Sequence, residues 1–266
     1  QVIGMPKLTQ TMGVLLAPLT GEKYVNRLSC EMKILRELVQ AIPAVTWFNV
    51  NFHHSFTNWL PFYWAGYMQT TSYTYVIRDL GDPDMIWGGL RENIRTDIRK
   101  ARKQVQVRCD MELNTLYAAC NLTFSRQKQR FPVARDFVYR LDLACKDHNA
   151  RKMFFAVDAK DRVHAACYVV WTDRAAYYLM GGGDPALRNR GATSLLIWEA
   201  IQLSRTVAGR FDFEGSMIEP VERFFRAFGA QQTQLFNIRK STLCANVWYT
   251  LRGAGGRLLR VLRSGK

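Results

Sequence analysis

The chain has 266 residues, 48% hydrophobic and 12% aromatic, enough to bury one large core or two small ones. No run approaches the roughly 18 uninterrupted apolar residues of a membrane span, no signal-peptide pattern opens the sequence, and six scattered cysteines without a C-x-x-C pair exclude a disulfide framework and a zinc motif and fit a reducing cytoplasm. A net charge of +15 leaves two readings open: a phosphate-bearing partner such as nucleic acid, anionic lipid or a nucleotide-linked substrate, or simply a basic, soluble surface.

The opening "QVIGMPKLTQ" reads like the interior of a fold, so the natural protein is expected to start before Gln1. Leu28, Leu35, Leu38, Val39 and Ile42 recur at helical spacing and predict a helix over 24–42. The aromatic-rich stretch from Val45 to Tyr67 alternates like a strand. There Trp47, Phe48, Phe52, Phe56, Trp59, Phe62, Tyr63 and Trp64 are expected mostly in a core, with one of His53 and His54 pointing in and one out. "SYTYVIRDL" (72–80) predicts a strand and "GDPD" (81–84) a turn. Leu90, Ile94, Ile98, Ala101 and Val105 form one apolar stripe of a helix over 88–105, with Arg91, Arg95 and Arg99 on another face.

A short strand "VQVRC" and helices near 112–128 and 134–148 come next. "KMFFAVDA", "VHAACYVVWT" and "RAAYYLMGG", split by polar turns, predict an antiparallel meander. Leu196, Ala200, Leu203 and Val207 mark a helix ended by Gly209. The strand "FDFEGS" precedes a helix with Val221, Phe224, Phe225 and Phe228 on one face, Pro220 in its first turn and Gly229 at its exit. "TQLFNIRK" closes the series. The C-terminal order β-α-α-β-β-β-α-β-α-β implies an α/β fold with a mixed sheet and helices on both faces.

Four stretches, "YTYVIRDL", "LRENIRTDIRKARK", "YYLMGGGDPALRNRGATSLLIWEAI" and "FDFEGSMIEPVERFFRAFGA", together resemble the FemAB-like branch of the GNAT acyltransferase superfamily, over about residues 1–243 and most densely over 173–240. This branch includes aminoacyl-tRNA-dependent transferases that build bacterial peptidoglycan bridges, and acetyltransferase-like relatives. The resemblance implies tandem GNAT-like subdomains, the first incomplete at its N-terminus: residues 1–86, then 87–243, followed by a basic amphipathic tail over 244–266. It implies an N-acyltransferase with acyl-CoA or aminoacyl-tRNA as co-substrate and no permanently bound cofactor. Independently of the resemblance, four histidines, two of them adjacent, argue against a metal site, and no DNA partner is expected.

Acyl transfer to an amine needs a polarised carbonyl, a proton acceptor and an in-line arrangement. Gly183 and the run Arg188, Arg190, Gly191, Ala192 and Thr193 lie in a glycine-rich turn that leads into a helix, where unpaired amides and the helix dipole attract phosphate. The turn also reads as a backbone requirement for glycine alone. In GNAT enzymes such a loop follows the pattern Arg/Gln-x-x-Gly-x-Gly/Ala, and here Thr193 replaces its last small residue. Strand alternation puts Asp212, Glu214 and Ser216 on one face and Phe211, Phe213 and Gly215 on the other. Two carboxylates in a covered sheet must meet a cleft or basic partners such as Arg188, Arg190, Arg223 or Arg226. Glu214, with Asp212 as the other choice, is the expected proton acceptor, and Tyr177 or Tyr178 the proton donor to a leaving group. Arg226, Arg95 and Arg99 are expected to contact substrate phosphates or tRNA, together with Ser216.

The function expected is transfer of an aminoacyl or acetyl group to an amine, with a cell-envelope precursor as the expected acceptor, in a cleft between the subdomains of a cytoplasmic bacterial protein. Its basic tail reads either as a peripheral contact with the inner membrane face, where a lipid-linked acceptor would lie, or as a segment packed on the body. The alternative is a catalytically inactive GNAT-like scaffold that binds an anionic polymer or lipid-linked ligand. The transferase reading requires the acidic residues before Ser216 and the glycine turn before Thr193 to open onto one hollow.

Overall fold

The computed structural model describes residues 1–17, 23–126, 128–187 and 190–242. The tail expected over 244–266, and Arg188 with it, lie outside the described residues. The described chain forms two units: Gln1–Ser72 with the described residues from Gln234 on, and Tyr73–Thr233.

In the first unit, β1 (Val2–Gly4) runs parallel to β2 (Trp47–Asn51), and β2 runs antiparallel to β9 (Gln231–Ser241), which pairs with it from Asn237 to Ser241. Helix α1 (Tyr24–Ala41) follows the periodicity read from the sequence, and α2 (Leu60–Trp64) is a single turn with proline inside its start. The core is aromatic and packed edge to face. Phe52 lies 4.8 Å from Phe56 and 5.1 Å from Phe62 by ring centroid, with Leu35, Phe48, Val50 and Ile238 around them. Tyr63 and Trp64 do not join this core and stand exposed. The strand ends at Asn51, so His53 and His54 do not alternate in and out. They lie beyond it with their rings 4.0 Å apart.

The second unit holds a mixed sheet in the order β3-β8-β7-β6-β5-β4. Its strands are β3 (Met68–Ile77, which enters from the first unit), β4 (Gln106–Arg108), β5 (Arg151–Val157), β6 (Val163–Trp171), β7 (Ala176–Gly183) and β8 (Phe211–Asp212). The β4-β5-β6-β7 run is antiparallel, β7 and β8 are parallel, and β8 and β3 are antiparallel. Alternation sorts the side chains. Phe154, Ala156, Cys167 and Val169 pack with Ile94 and Ile98 of α4 (Glu92–Arg102) and Leu196 and Ile197 of α7 (Ala192–Ser204). Tyr168, from the opposite parity, donates its hydroxyl to Asp142 of α6 (Arg135–Asp147) at 2.9 Å, on the face that α5 (Leu113–Ser125) also covers. Helices therefore lie on both faces.

The long helix expected over 88–105 is two helices. Asp82 caps α3 (Pro83–Gly89) by accepting from the Asp84 and Met85 amides at 2.9 and 3.1 Å, so the "GDPD" cluster is a helix start as well as a turn. The Gly88–Gly89 pair ends α3, and the Arg91 amide leaves the helical ladder to donate to the Ala227 carbonyl at 2.9 Å before α4 begins. The apolar stripe is nevertheless correct: Leu90, Ile94, Ile98, Ala101 and Val105 are all buried. Helix α7 stops at Ser204 rather than near Gly209, because the Ser204 and Thr206 hydroxyls turn back onto the Ala200 and Leu203 carbonyls at 2.7 Å each. The last helix, α8 (Glu219–Arg226), lies where Pro220 and Gly229 predicted it.

Candidate active site

The site begins where two parallel strands part. Ala176 pairs with Phe211 and Tyr177 with Asp212, after which β8 ends while β7 runs on to Gly183. Just past the parting, β7 carries a bulge: Tyr168 pairs with Met180 but Val169 pairs with Tyr178, leaving Leu179 as the extra residue. A bulge re-aims backbone groups and is favoured beside functional sites. Nothing in the spelling of "YYLMGGG" marks Leu179, because a bulge depends on the partner strand's register.

Gly181, Gly182 and Gly183 are the last residues of β7, not the turn after it. Gly182 lies against the backbone of α5, where an added Cβ would come within 2.7 Å of the Ala119 carbonyl carbon and the Cys120 Cα. The Thr123 hydroxyl of α5 holds this wall at both backbone groups of Gly183, accepting from its amide at 2.9 Å and donating to its carbonyl at 3.4 Å. The turn proper ends at Gly191, whose φ of 73° is left-handed and whose missing Cβ makes room for the Asp97 backbone of α4. Gly191 is the N-cap of α7 and no side chain caps that end. The Leu195 amide makes the first helical bond, to the Gly191 carbonyl, so the amides of Ala192, Thr193 and Ser194 precede the ladder.

These parts enclose a cavity of about 490 Å³. Tyr178 and Gly181–Gly183 form one wall, Gly191–Ser194 another, and Pro220, Val221, Phe224 and Phe225 of α8 a third. Tyr178 packs edge-on against Phe225 at 5.8 Å, and burial holds its phenol well above the usual tyrosine range, so it keeps its proton at neutral pH. Of the residues expected to hold donor phosphates, Gly183, Gly191, Ala192 and Thr193 meet at this cavity, whereas Arg190 is not among its walls.

The carboxylates stand across the parting from Tyr177. Strand alternation holds for Phe211, Asp212 and Phe213: the two rings pack at 5.0 Å in the core, while Asp212, 3% exposed, turns the other way and accepts from the Thr74 hydroxyl. It fails at Glu214, which lies beyond β8 with φ 60°, followed by Gly215 at φ 64°. Two left-handed residues in a row reverse the chain tightly against Tyr73 and Thr74 of β3, where only glycine leaves room at 215. The Glu214 amide donates to the Asp212 carboxylate at 2.8 Å, which fixes the turn. Burial, and then the neighbouring Asp212 charge, push the Glu214 carboxyl up to about 8. Burial and the charges of Asp212 and then Glu214 also raise Tyr177.

The carboxylates are not among the walls of the glycine-lined cavity, so the single hollow expected from sequence is not what this cavity forms. Nor do the arginines of α8 pair with them: Arg226 donates to Glu222 at 2.7 Å and Arg223 to Glu219 at 3.2 Å. Ser216 accepts from the Ile218 amide at 3.0 Å. Arg95 and Arg99 both turn onto Glu92 of their own helix, at 2.6 and 3.2 Å. Among the described residues no group of three or more His, Cys, Asp or Glu side chains is arranged to hold a metal.

A model of the acetyltransferase (GNAT) domain matches residues 88–224, just over half of the chain. Among solved structures, FemX is 12% identical with a TM-score of 0.61, over 80% of this chain and 77% of that one. The C-terminal DUF2156 domain assigned to a lysylphosphatidylglycerol synthetase of Agrobacterium fabrum is 12% identical with a TM-score of 0.57, over 82% and 75%. A conserved protein of unknown function from Bacteroides thetaiotaomicron is 11% identical with a TM-score of 0.54, over 81% and 76%. No curated protein sequence matches. At these identities the structural likenesses are of fold, and they agree with the FemAB-like outline read from the sequence. With the family model running from the end of α3 through the bulged strand and the glycine wall into α8, the chain belongs to the acetyltransferase (GNAT) domain family.

Proposed function

We propose that this protein is an N-acyltransferase in which a phosphate-bearing donor, acyl-CoA or aminoacyl-tRNA, lies in the glycine-lined cavity and its acyl carbonyl reaches the parting of β7 and β8. The donor's phosphates would take the α7 amides of Ala192, Thr193 and Ser194, and its arm would follow Tyr178 and Gly181–Gly183. The acceptor amine attacks the carbonyl carbon and a C–N bond forms. The C–S bond of a thioester, or the C–O bond of an aminoacyl ester, breaks. Glu214, outside the walls of that cavity, takes the proton lost by an amine that enters on the carboxylate side of the parting. The departing thiolate or alkoxide accepts a hydrogen bond from the protonated Tyr178 phenol and is protonated by water. A carboxyl with a pKa near 8 suits this exchange, because it lies close to the operating range of an amine.

The observation that most supports this reading is the coincidence of three features in one stretch: strands that part after Tyr177 and Asp212, a bulge at Leu179, and an uncapped helix N-terminus on the adjoining cavity. An acceptor on a cell-envelope precursor is the finer part of the proposal. The test incubates the protein with acyl-CoAs and with charged tRNAs, each against a panel of amines, and reads products by mass spectrometry. A product heavier by the acyl group from one donor class supports the reading and names the donor. Binding of donors or anionic polymers without any acylated amine supports the inactive scaffold instead.

A further inference from the structure

We propose that the outward face of α2, with the cations beside it, is the surface by which this protein lies on an anionic lipid bilayer. The inference stands on this face and not on acyl transfer. Helix α2 reads "LPFYW" and contains no charged residue. Pro61 and Phe62 turn into the core, which leaves Leu60, Tyr63 and Trp64, at i, i+3 and i+4, on one outward face at 42, 58 and 55% exposure. A contiguous apolar and aromatic face of this kind marks an interaction site.

Its flanks are positive. The Arg36 guanidinium of α1 lies 5.2 Å from the Trp64 ring. Lys240 of β9 donates its ammonium to the Ala65 carbonyl at the end of α2, at 2.7 Å, and lies 4.8 Å from the Tyr67 ring. Among the described residues neither cation has a carboxylate partner within ion-pair distance. Past β9 the sequence 243–266 adds five Arg and Lys and no Asp or Glu. Trp and Tyr rings settle at the headgroup level of a bilayer, and Arg and Lys beside them meet anionic headgroups. Charge decides against a second copy of this chain as the occupant. A two-fold contact places the same patch on both partners, which would bring two copies each of Arg36 and Lys240 into one interface.

The experiment sediments the full chain with vesicles of phosphatidylcholine alone and of phosphatidylcholine with phosphatidylglycerol. The expected result is binding to the anionic vesicles only. Leu60→Ser/Tyr63→Ser/Trp64→Ser should weaken it by about tenfold or more, and Arg36→Gln by about fivefold, since one cation near such a surface contributes about 1 kcal/mol. Trp64→Phe guards against misfolding: it should keep binding but lose the part of the tryptophan emission quenched by brominated lipid. The proposal is overturned if the wild-type chain ignores anionic vesicles, if the triple variant binds as well as the wild type, or if Trp64→Phe leaves the quenching unchanged. A wild-type dimer that the triple variant dissolves, without vesicle binding, also overturns it and assigns the face to self-association. Vesicle binding is read without turnover, so its failure leaves the acyltransferase reading standing.

Discussion

Replacing Glu214 by Gln tests the candidate site through two independent readouts. The carboxyl is ordinarily half-ionised at 4.5, and burial with the Asp212 charge raises that to about 8 in the fold. A carboxyl that holds its proton more tightly when folded contributes fully below the unfolded pKa and withdraws stability as pH rises towards the folded one. At about 1.36 kcal/mol for each tenfold change in proton affinity, the cost of ionising Glu214 in place reaches about 4 kcal/mol by pH 8. Gln cannot ionise, so the variant escapes that cost. Urea denaturation of both proteins across pH 5 to 9 should show the variant gaining on the wild type as pH rises, flattening above about 8. Catalysis should move in the opposite direction. With Glu214 as proton acceptor, wild-type kcat/KM should rise tenfold per pH step and level near pH 8, and the variant should lose about 10²–10⁴-fold with that limb abolished. A stability difference that does not change with pH refutes the buried-carboxyl argument. An unchanged kcat/KM profile refutes the catalytic role even if the stability result holds.

The other perturbations concern the walls of the site. Gly182→Ala places a methyl on the α5 backbone at Ala119 and Cys120, which cannot yield as a side chain would. It should cost about 1–3 kcal/mol, read as a lowered Tm. Gly191→Ala combines a left-handed φ, unfavourable by about 1–2 kcal/mol for an L-residue, with contact against the Asp97 backbone. It should raise the KM for donor more than it lowers kcat, if the α7 amides hold donor phosphates. Thr74→Val deletes the hydroxyl that donates to buried Asp212. The variant should lose about 1–3 kcal/mol in denaturant titrations, with the Glu214 turn, tied to the same carboxylate, loosened in hydrogen exchange.

Some of this was legible in the sequence. The stripe of Leu90, Ile94, Ile98, Ala101 and Val105 identified its buried face because a 3.6-residue repeat needs no partner to be recognised. The meander from Arg151 to Gly183 followed from apolar runs and polar turns, and Pro220 and Gly229 bracketed α8. Boundaries were less legible. The split between α3 and α4 rests on an amide drawn to Ala227, far away in the chain, and the length of β7 rests on how closely α5 approaches Gly182.

At the site, the residue types were set by the sequence and their arrangement by tertiary structure. A run of three glycines and a further Gly before a helix announce close backbone approach, and two acids in an apolar strand announce a carboxylate that must be accommodated. Which groups share a cavity is a matter of distance between segments, and local periodicity carries no information about it. The parting of β7 from β8, the extra residue at Leu179, and the left-handed pair Glu214 and Gly215 against β3 were all decided when separate stretches packed together, whereas the pairing of Arg95 and Arg99 with Glu92, Arg223 with Glu219 and Arg226 with Glu222 lies within single helices, at spacings the sequence already contains.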